Sequence, residues 1–332
     1  MWIIICIVVV VLIYLYCIAP NTGRKENMKP FTEVYIAHRG LFDNGDGEWK
    51  AENDKKNDDG MPGTGNIEII PENSMPAFER AVAAGYGIEL DTQTTADGRL
   101  VVFHDESLYR MCGVNKKLYE CTYEELQHYG LAGTDYKIPL FDDVLKMVDG
   151  RVPLIVEVKS EGNWRRTTRM TAESLDAYGM NIKYNAKASD FSERTEQDKT
   201  SDYKADSKDG SGIYAGRSWA YCVESFHPLV LKWFRSNRPQ ILRGQLSTNF
   251  FKSSLKMTWI ANILLTNLML DFLSRPDFIA YNYKYKNDPT FRLCRHLFKV
   301  VSAAWTVRSE EVLRKVEKVF DIIIFDSFVP ER

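Results

Sequence analysis

Short apolar runs alternate with longer amphipathic segments along most of this chain. The runs are rich in Val and Ile and many are bounded by Gly or Asp, which is typical of buried strands. The segments between them place apolar residues at helical spacing, as at 139–148 and 309–320. The runs predicted as strands cover residues 34–38, 87–91, 101–104, 152–158, 219–225, 240–246, 278–283, 299–305 and 321–326.

One of these runs does not follow the alternation of strands and helices. Only residues 92–100 separate the run at 101–104 from the previous one, with a turn at Asp97-Gly98. A parallel crossover needs about a dozen residues or more, so residues 101–104 are predicted to return antiparallel as a hairpin arm. The remaining eight strands alternate with helices, which predicts a (β/α)₈ TIM barrel with a hairpin excursion after its second strand.

The first residues of the chain have a different composition. Residues 2–19 carry no charge and are rich in Ile and Val, and no basic residue precedes them. At about 1.5 Å per residue this stretch can cross a bilayer, and it lacks the small-residue cleavage site of a secretory signal. The sequence therefore predicts a single-pass membrane protein with a transmembrane anchor at 1–20, a juxtamembrane linker at 21–33 and the barrel at 34–332.

The basic residues that follow the anchor bear on its orientation. Arg24, Lys25 and Lys29 lie just after it, and the positive-inside rule then favours a cytoplasmic catalytic domain. An outward-facing domain is the alternative. The chain as a whole contains 43 basic and 45 acidic residues, so its composition does not indicate nucleic-acid binding.

Two polar segments interrupt the barrel pattern. Residues 41–70 and 185–217 contain many charged residues, Gly and Ser, with few apolar side chains to bury. Such segments cannot offset the entropy of ordering by apolar burial, and both are predicted to be flexible insertions.

The chemically distinctive residues fall at the ends of the predicted strands. The sequence reads AHRG at 37–40, PENS at 71–74, ELD at 89–91, VVFHD at 101–105 and EVK at 157–159. Because side chains alternate along a strand, Glu89 and Asp91 share one face. Two carboxylates on an apolar strand require a cation or a proton, and Mg²⁺ or Ca²⁺ prefers oxygen ligands of this kind.

These motifs, in this order, resemble those of the glycerophosphodiester phosphodiesterase family. The resemblance continues through ESFHP at 224–228, RGQLS at 243–247 and AWTV at 304–307, and it covers about residues 34–330 apart from the two insertions. It implies a TIM barrel and the metal-dependent hydrolysis of a small glycerophosphodiester to glycerol 3-phosphate and an alcohol, in lipid and glycerol metabolism.

The resemblance also implies roles for particular residues. Glu89, Asp91 and Glu157 are expected to hold one divalent ion, Mg²⁺ or Ca²⁺. His38 and His104 are expected to act as acid and base, a task that suits imidazole near neutral pH. In the family the attacking group is thought to be the 2-hydroxyl of the substrate's own glycerol, and water then opens the resulting cyclic phosphate.

Six other residues are candidates for the same site. Arg39 and Lys159 can stabilise the charge that builds on the phosphate oxygens. Glu72 and Asn73 either hydrogen-bond the site, as substrate-binding residues, or cap the helix that follows. The aromatic residues at strand ends either pack against the glycerol or belong to the apolar rim of the barrel; they are Phe226 and Trp305.

Two other functions remain open at this point. A lysophospholipase D would use the same chemistry on membrane lysophospholipids, and the predicted anchor and the apolar stretch at 259–273 favour it. A noncatalytic lipid- or phosphate-binding module would be indicated by loss of a histidine or a metal carboxylate. None of these residues is missing from the sequence.

Overall fold

Eight parallel strands close into a barrel in the computed structural model, which describes residues 1–43, 69–196, 220–253 and 258–330. The first strand, β1 (Ile36–His38), pairs with both β2 (Gly87–Thr94) and β9 (Ile322–Phe325), and these pairings close the sheet. The predicted eight-stranded TIM barrel is therefore confirmed. In order around the barrel its strands are β1 (Ile36–His38), β2 (Gly87–Thr94), β4 (Leu154–Val158), β5 (Tyr221–Ser225), β6 (Leu242–Ser247), β7 (Phe278–Asn282), β8 (Val301–Val307) and β9 (Ile322–Phe325).

The ninth strand, β3 (Leu100–Val102), forms the predicted hairpin arm. It pairs antiparallel with β2, with Thr92 opposite Val102, so the prediction of an antiparallel return is confirmed. Beyond β3 the chain builds a small excursion with an apolar core of its own, which contains Phe103, Leu108 and Leu118. This core fixes the position of His104, the residue that follows Phe103.

The barrel interior is apolar where the strands begin and polar where they end. Ile155 and Cys222 belong to the apolar interior, and two residues further along their strands the interior positions are carboxylates. Met28 and Phe31, from the segment before β1, are fully buried against the apolar end and close it. The chemistry of the barrel is therefore confined to the carboxyl ends of the strands, as is usual for this fold.

Most helices cover the outside of the barrel. In α6, for example, Phe141, Val144, Leu145 and Val148 are buried at helical spacing while Asp142 and Asp143 face solvent. The helices are α1 (Trp2–Ile18), α2 (Lys29–Thr32), α3 (Met75–Ala83), α4 (Tyr109–Cys112), α5 (Tyr123–Leu126), α6 (Phe141–Val148), α7 (Trp164–Glu196), α8 (Pro228–Asn237), α9 (Trp259–Thr266), α10 (Asp271–Ser274), α11 (Pro289–Leu297) and α12 (Glu310–Val316).

The structure does not support the predicted transmembrane anchor at 1–20. Helix α1 has 17 residues, about 26 Å at 1.5 Å per residue, against a hydrocarbon thickness of about 30 Å. Its last turn packs against the rest of the protein. Ile18 is buried in the outer core, and Arg275 donates to the carbonyls of Tyr16 and Ala19. Within the described ranges, no helix combines the length and the apolar character needed to cross a membrane.

The predicted juxtamembrane linker at 21–33 is part of the barrel. The backbone N–H of Asn21 donates to the carbonyl of Pro276 over 2.8 Å, and Nε of Arg24 donates to Asp277 over 2.9 Å. These contacts lie where β7 begins, so the segment folds under the apolar end of the barrel instead of leaving it.

The two predicted insertions lie largely outside the described residues. At the edges of the first, Asp43 and Ile70 exchange two backbone hydrogen bonds of 2.8 Å, which brings the ends of the segment together. The second, at 185–217, starts inside α7, whose backbone stays helical through Glu196. Residues 44–68 and 197–219 are not described.

Candidate active site

Three carboxylates meet inside the barrel at the carboxyl ends of β2 and β4. Glu89 and Asp91 alternate with apolar residues on β2 and point inward, and Glu157 of β4 lies in register with Asp91. All three are buried, and one oxygen from each lies within 4.8 Å of the others. This group can hold a metal ion, since carboxylate oxygens are the ligands that hard divalent cations prefer.

Two cations are paired with these carboxylates, Lys159, which is buried, and Arg39, which is partly exposed. Nζ of Lys159 lies 3.0 Å from Asp91 Oδ1 and 2.9 Å from Glu157 Oε1, and Nε of Arg39 lies 3.5 Å from Asp91 Oδ2. Burial disfavours the charged form of Asp91, yet Lys159, His104 and Arg39 together hold its pKa well below the usual range. Glu89 accepts from the backbone N–H of Arg39 over 3.2 Å, but no Lys or Arg side chain of the described residues forms an ion pair with it. Burial and then Asp91 raise its pKa well above the ordinary value.

Glu72 and Asn73 contact the site residues directly. The Asn73 side-chain amide donates to Asp91 Oδ2 over 2.8 Å, and Arg39 donates to Glu72 over 2.7 Å. Arg39 and Asn73 both have positive φ, at 58° and 53°, a conformation that costs energy for residues other than glycine. The backbone N–H of Asn73 donates to the carbonyl of Arg39, and this bond joins the two strained residues.

His38 lies at the end of β1, opposite Glu89 in the sheet register. Its Nδ1 is 2.8 Å from Asp326, which follows β9, and its Nε2 is 3.9 Å from Glu89. Asp326 also accepts from Nε of Arg308 over 2.7 Å, which holds the carboxylate in place. Burial and the neighbouring Arg39 lower the pKa of His38, while Asp326 opposes this shift.

His104 reaches the same site from the hairpin excursion. Its Nδ1 is 2.6 Å from the carboxylate of Asp105, and Asp105 accepts in turn from Nε of Arg110 over 2.6 Å. A positive charge on His104 would favour the ionised forms of Asp91 and Glu157, so this imidazole lies within electrostatic range of the carboxylate group. Both histidines therefore have Nδ1 on a carboxylate and Nε2 available for proton transfer.

Two aromatic side chains form an apolar wall at the rim. Phe226 follows β5 and Trp305 lies on β8, and their rings meet edge to face at 5.6 Å between centroids. Phe250 continues the wall, at 6.1 Å from the Phe226 ring. The barrel thus presents an apolar surface beyond the charged centre.

The structure brings the sequence-predicted site residues together at one end of the barrel, and adds partners that sequence reasoning missed. The missed residues are Asp326, Asp105, Arg110 and Glu224. Asp105 was adjacent to a predicted histidine, and Glu224 alternates with apolar residues on a predicted strand, so both carried a local signal. No local feature linked Asp326 to His38 or Arg110 to Glu72.

The fold and the site define the class of protein. It is a (β/α)₈ barrel with an acidic centre beside two histidines, each hydrogen-bonded to a carboxylate. The sequence model of the glycerophosphoryl diester phosphodiesterase family matches residues 61–328, and the chain belongs to that family.

Curated relatives match a shorter part of the chain. A glycerophosphodiester phosphodiesterase of Bacillus altitudinis is 41% identical over 96 residues, which is 27% of this chain and 39% of that protein. The lysophospholipase D GDPD1 of Rattus norvegicus is 34% identical over 105 residues, 28% of this chain and 33% of that protein. The chain spans less than half the length of these relatives.

Solved structures match nearly the whole fold. A glycerophosphodiester phosphodiesterase from Parabacteroides distasonis has a TM-score of 0.56 at 22% identity and covers 88% of this chain and 92% of its own. A phosphodiesterase from Oleispira antarctica, in complex with its product sn-glycerol-3-phosphate, has a TM-score of 0.57 at 17% identity, with coverages of 90% and 95%. At these identities the likeness concerns the fold.

Proposed function

We propose that this chain is a metal-dependent phosphodiesterase that hydrolyses glycerophosphodiesters to glycerol 3-phosphate and an alcohol. The observation that carries the proposal is the buried group of Glu89, Asp91 and Glu157 beside two imidazoles, each held by a carboxylate. Membership of the glycerophosphoryl diester phosphodiesterase family supports the same reaction.

The donor set fits a hard divalent ion such as Mg²⁺ or Ca²⁺. All three donors are carboxylates, and the raised pKa of Glu89 reflects burial and negative charge that the neighbouring cations leave uncompensated. When bound, a divalent ion draws charge from a nonbridging phosphate oxygen. Lys159 and Arg39 add positive charge on the same side of the barrel and hold the carboxylates in place.

The two histidines move the protons in this proposal. Neutral His38 donates a hydrogen bond from Nδ1–H to Asp326, which leaves Nε2 free to accept the proton of the attacking hydroxyl. We assign His38 as the base because burial and Arg39 lower its pKa and keep it neutral. His104, oriented by Asp105, then donates a proton to the oxygen of the leaving alcohol.

The remaining candidates are assigned to positioning and to substrate contact. Glu72 and Asn73 hold Arg39 and Asp91, so their role is to orient the charged groups. The wall formed by Phe226 and Trp305 is suited to pack against the glycerol carbons of the substrate.

Removal of the metal tests the proposal. Exhaustive treatment with a chelator should abolish hydrolysis of glycerophosphocholine, and added Mg²⁺ or Ca²⁺ should restore it. The assay follows release of glycerol 3-phosphate and choline before and after addition. Full turnover in chelated, dialysed protein would contradict the proposed metal site.

A second candidate, lysophospholipase D activity, is favoured by the placement of α1. The hydroxyl of Tyr14 lies 2.5 Å from that of Thr290 at the start of α11, and Cys294, one turn later, contacts the Ile18 carbonyl. Helix α1 therefore runs in the same direction as α11, and its earlier residues extend past the end of the barrel where the site lies.

These earlier residues are suited to lipid. Residues 2–13 are apolar on every side of the helix and all are exposed. A protein groove covers one face of a helix, whereas the acyl region of a leaflet surrounds it, so this pattern favours contact with lipid. Trp259 and Ile260 are exposed at the start of α9, whose last turn meets the end of β6 at Ser247. A substrate held in a leaflet would then face the site.

A further inference from the structure

One further carboxylate of the barrel interior, Glu224, borders the site, but none of the contacts described above involves it. Glu224 lies on β5 in register with Glu157 of β4, which is itself in register with Asp91 of β2. Cys222, two residues before Glu224, is a member of the apolar interior of the barrel. Because side chains alternate along a strand, Glu224 points into the barrel beside Glu157.

The Glu224 carboxylate is buried without a partner. The residue is 1% exposed, and its Oε2 has no hydrogen-bond donor among the described residues. No described Lys or Arg lies within ion-pair distance of it. The carboxylates of Glu157 and Asp91 repel it, and the more distant charge of Lys159 offsets only part of this repulsion. Burying an ionised carboxylate destabilises the fold unless a positive charge lies next to it or a hydrogen-bond donor satisfies its oxygens.

The charged groups around Glu224 leave an excess of negative charge in the barrel interior. Two cations, Arg39 and Lys159, are paired with the interior carboxylates, and each is also shared between two acidic groups. Counted in their ionised forms, the four interior carboxylates exceed Lys159 and Arg39 by at least two negative charges, because Arg39 is also shared with Glu72 outside the four. One divalent ion would supply two compensating charges. The four are Glu89, Asp91, Glu157 and Glu224.

We propose that Glu224 is a fourth, outer carboxylate of the metal centre and accepts a hydrogen bond from a water molecule bound to the ion. This inference rests on the metal site of the proposed function. Glu224 is outside the group whose oxygens all lie within 4.8 Å of one another, so its role is indirect. Mg²⁺ in particular retains several waters in protein sites, and outer carboxylates orient them and add charge.

The test is metal affinity measured without substrate. Glu224→Gln keeps the size of the side chain and removes its charge. Isothermal titration of the full chain with Mg²⁺ and with Ca²⁺ should give a Kd about 10- to 100-fold weaker than that of the wild type, the usual effect of losing an outer partner. The melting temperature of the metal-free variant should not fall, because the substitution removes repulsion between buried carboxylates.

Two further variants make the result specific. Asp271 on α10 is also a buried carboxylate with an oxygen that lacks a partner, but it lies outside the barrel interior. Asp271→Asn should leave the Kd unchanged. Glu157→Gln removes a proposed direct ligand and should weaken binding more than Glu224→Gln does.

The outcomes separate this inference from the proposed function. An unchanged Kd in Glu224→Gln, with a weakened Kd in Glu157→Gln, would overturn the role of Glu224 alone. An unchanged Kd in both would overturn the metal site itself. If Glu224→Gln does not fold, Glu224→Asp replaces it in the test, because its shorter side chain keeps the charge but moves the carboxylate away from the metal site. A wild-type Kd in Glu224→Asp would overturn the proposal.

Discussion

At the scale of single residues, the site is built from imidazoles whose orientation is set by acidic partners. His38 is held by Asp326 and His104 by Asp105, and each partner carboxylate is in turn held by an arginine. Each such pair turns Nδ1 toward the carboxylate and leaves Nε2 to exchange the proton, as an acceptor in neutral His38 and as a donor in protonated His104. The two histidines differ in surroundings, because His38 is deeper and lies next to Arg39.

This difference leads to a prediction about the separate roles of the histidines. His38→Ala and His104→Ala should each lower kcat on glycerophosphocholine by on the order of 10²–10⁴-fold, the usual contribution of a general base or acid. A nitrophenyl diester of glycerol 3-phosphate has a leaving group that needs no proton. Steady-state kinetics on this substrate should show near wild-type turnover for His104→Ala and no recovery for His38→Ala.

The control for that comparison is metal binding. Neither histidine is assigned as a ligand, so both variants should keep the wild-type Kd for the ion. Recovery of His38→Ala instead of His104→Ala would reverse the assignment of base and acid. Recovery of both, or of neither, would mean that the roles are not divided in this way.

At the scale of secondary-structure elements, the loop after β1 positions Arg39 by packing tightly on helix α3. Gly40 has φ of +82°, and a Cβ added there would come within 2.9 Å of the carbonyl carbon of Ala77. The next residue, Leu41, donates its backbone N–H to the carbonyl of Ala77. The loop and the helix are therefore in backbone contact beside the site.

We predict that Gly40→Ala destabilises the fold more than a positive φ alone would. Gly113, at the end of α4, has a similar φ of +72° but nothing within 4 Å of an added Cβ. Gly113→Ala should cost about 1–2 kcal/mol from backbone strain, and Gly40→Ala a further 1–3 kcal/mol or so from overpacking. Urea denaturation of both variants measures the difference, and equal midpoints would show that the loop shifts without cost.

At the scale of the whole molecule, the apolar helix α1 extends on the side of the barrel that carries the site. Ile4 and Val8 are 67% and 50% exposed, and neither contributes to the core. Lys at both positions should therefore leave the melting temperature and the turnover of soluble glycerophosphocholine unchanged.

With lysophosphatidylcholine in phosphatidylcholine vesicles, the result should be different. If residues 2–13 contact the acyl region as proposed, two lysines there should lower vesicle binding and turnover on the order of 10-fold or more. Leu297→Lys is the matched control, since Leu297 is 53% exposed at the far end of α11. Equal hydrolysis of vesicle substrate by all three proteins would count against lysophospholipase D activity at a lipid surface.

The sequence by itself determined the elements and most of the candidate site. Short apolar runs and the lengths of the segments between them are local properties, so they predicted eight barrel strands and the antiparallel arm at β3. The same local patterns placed Glu89, Asp91 and Glu157 at strand ends. Neighbouring strands of a closed barrel bring their ends together, so these carboxylates were expected to meet.

Only the tertiary structure decided which distant residues became partners, and what the first helix contacts. Asp326 is 288 residues away from His38, and they meet because β9 closes the barrel beside β1. The composition of residues 2–19 is that of a membrane span, but the last turn of α1 packs on α11 and the outer core. Composition measures how apolar a segment is, whereas its neighbours are set by the packing of the whole chain, which no local pattern contains.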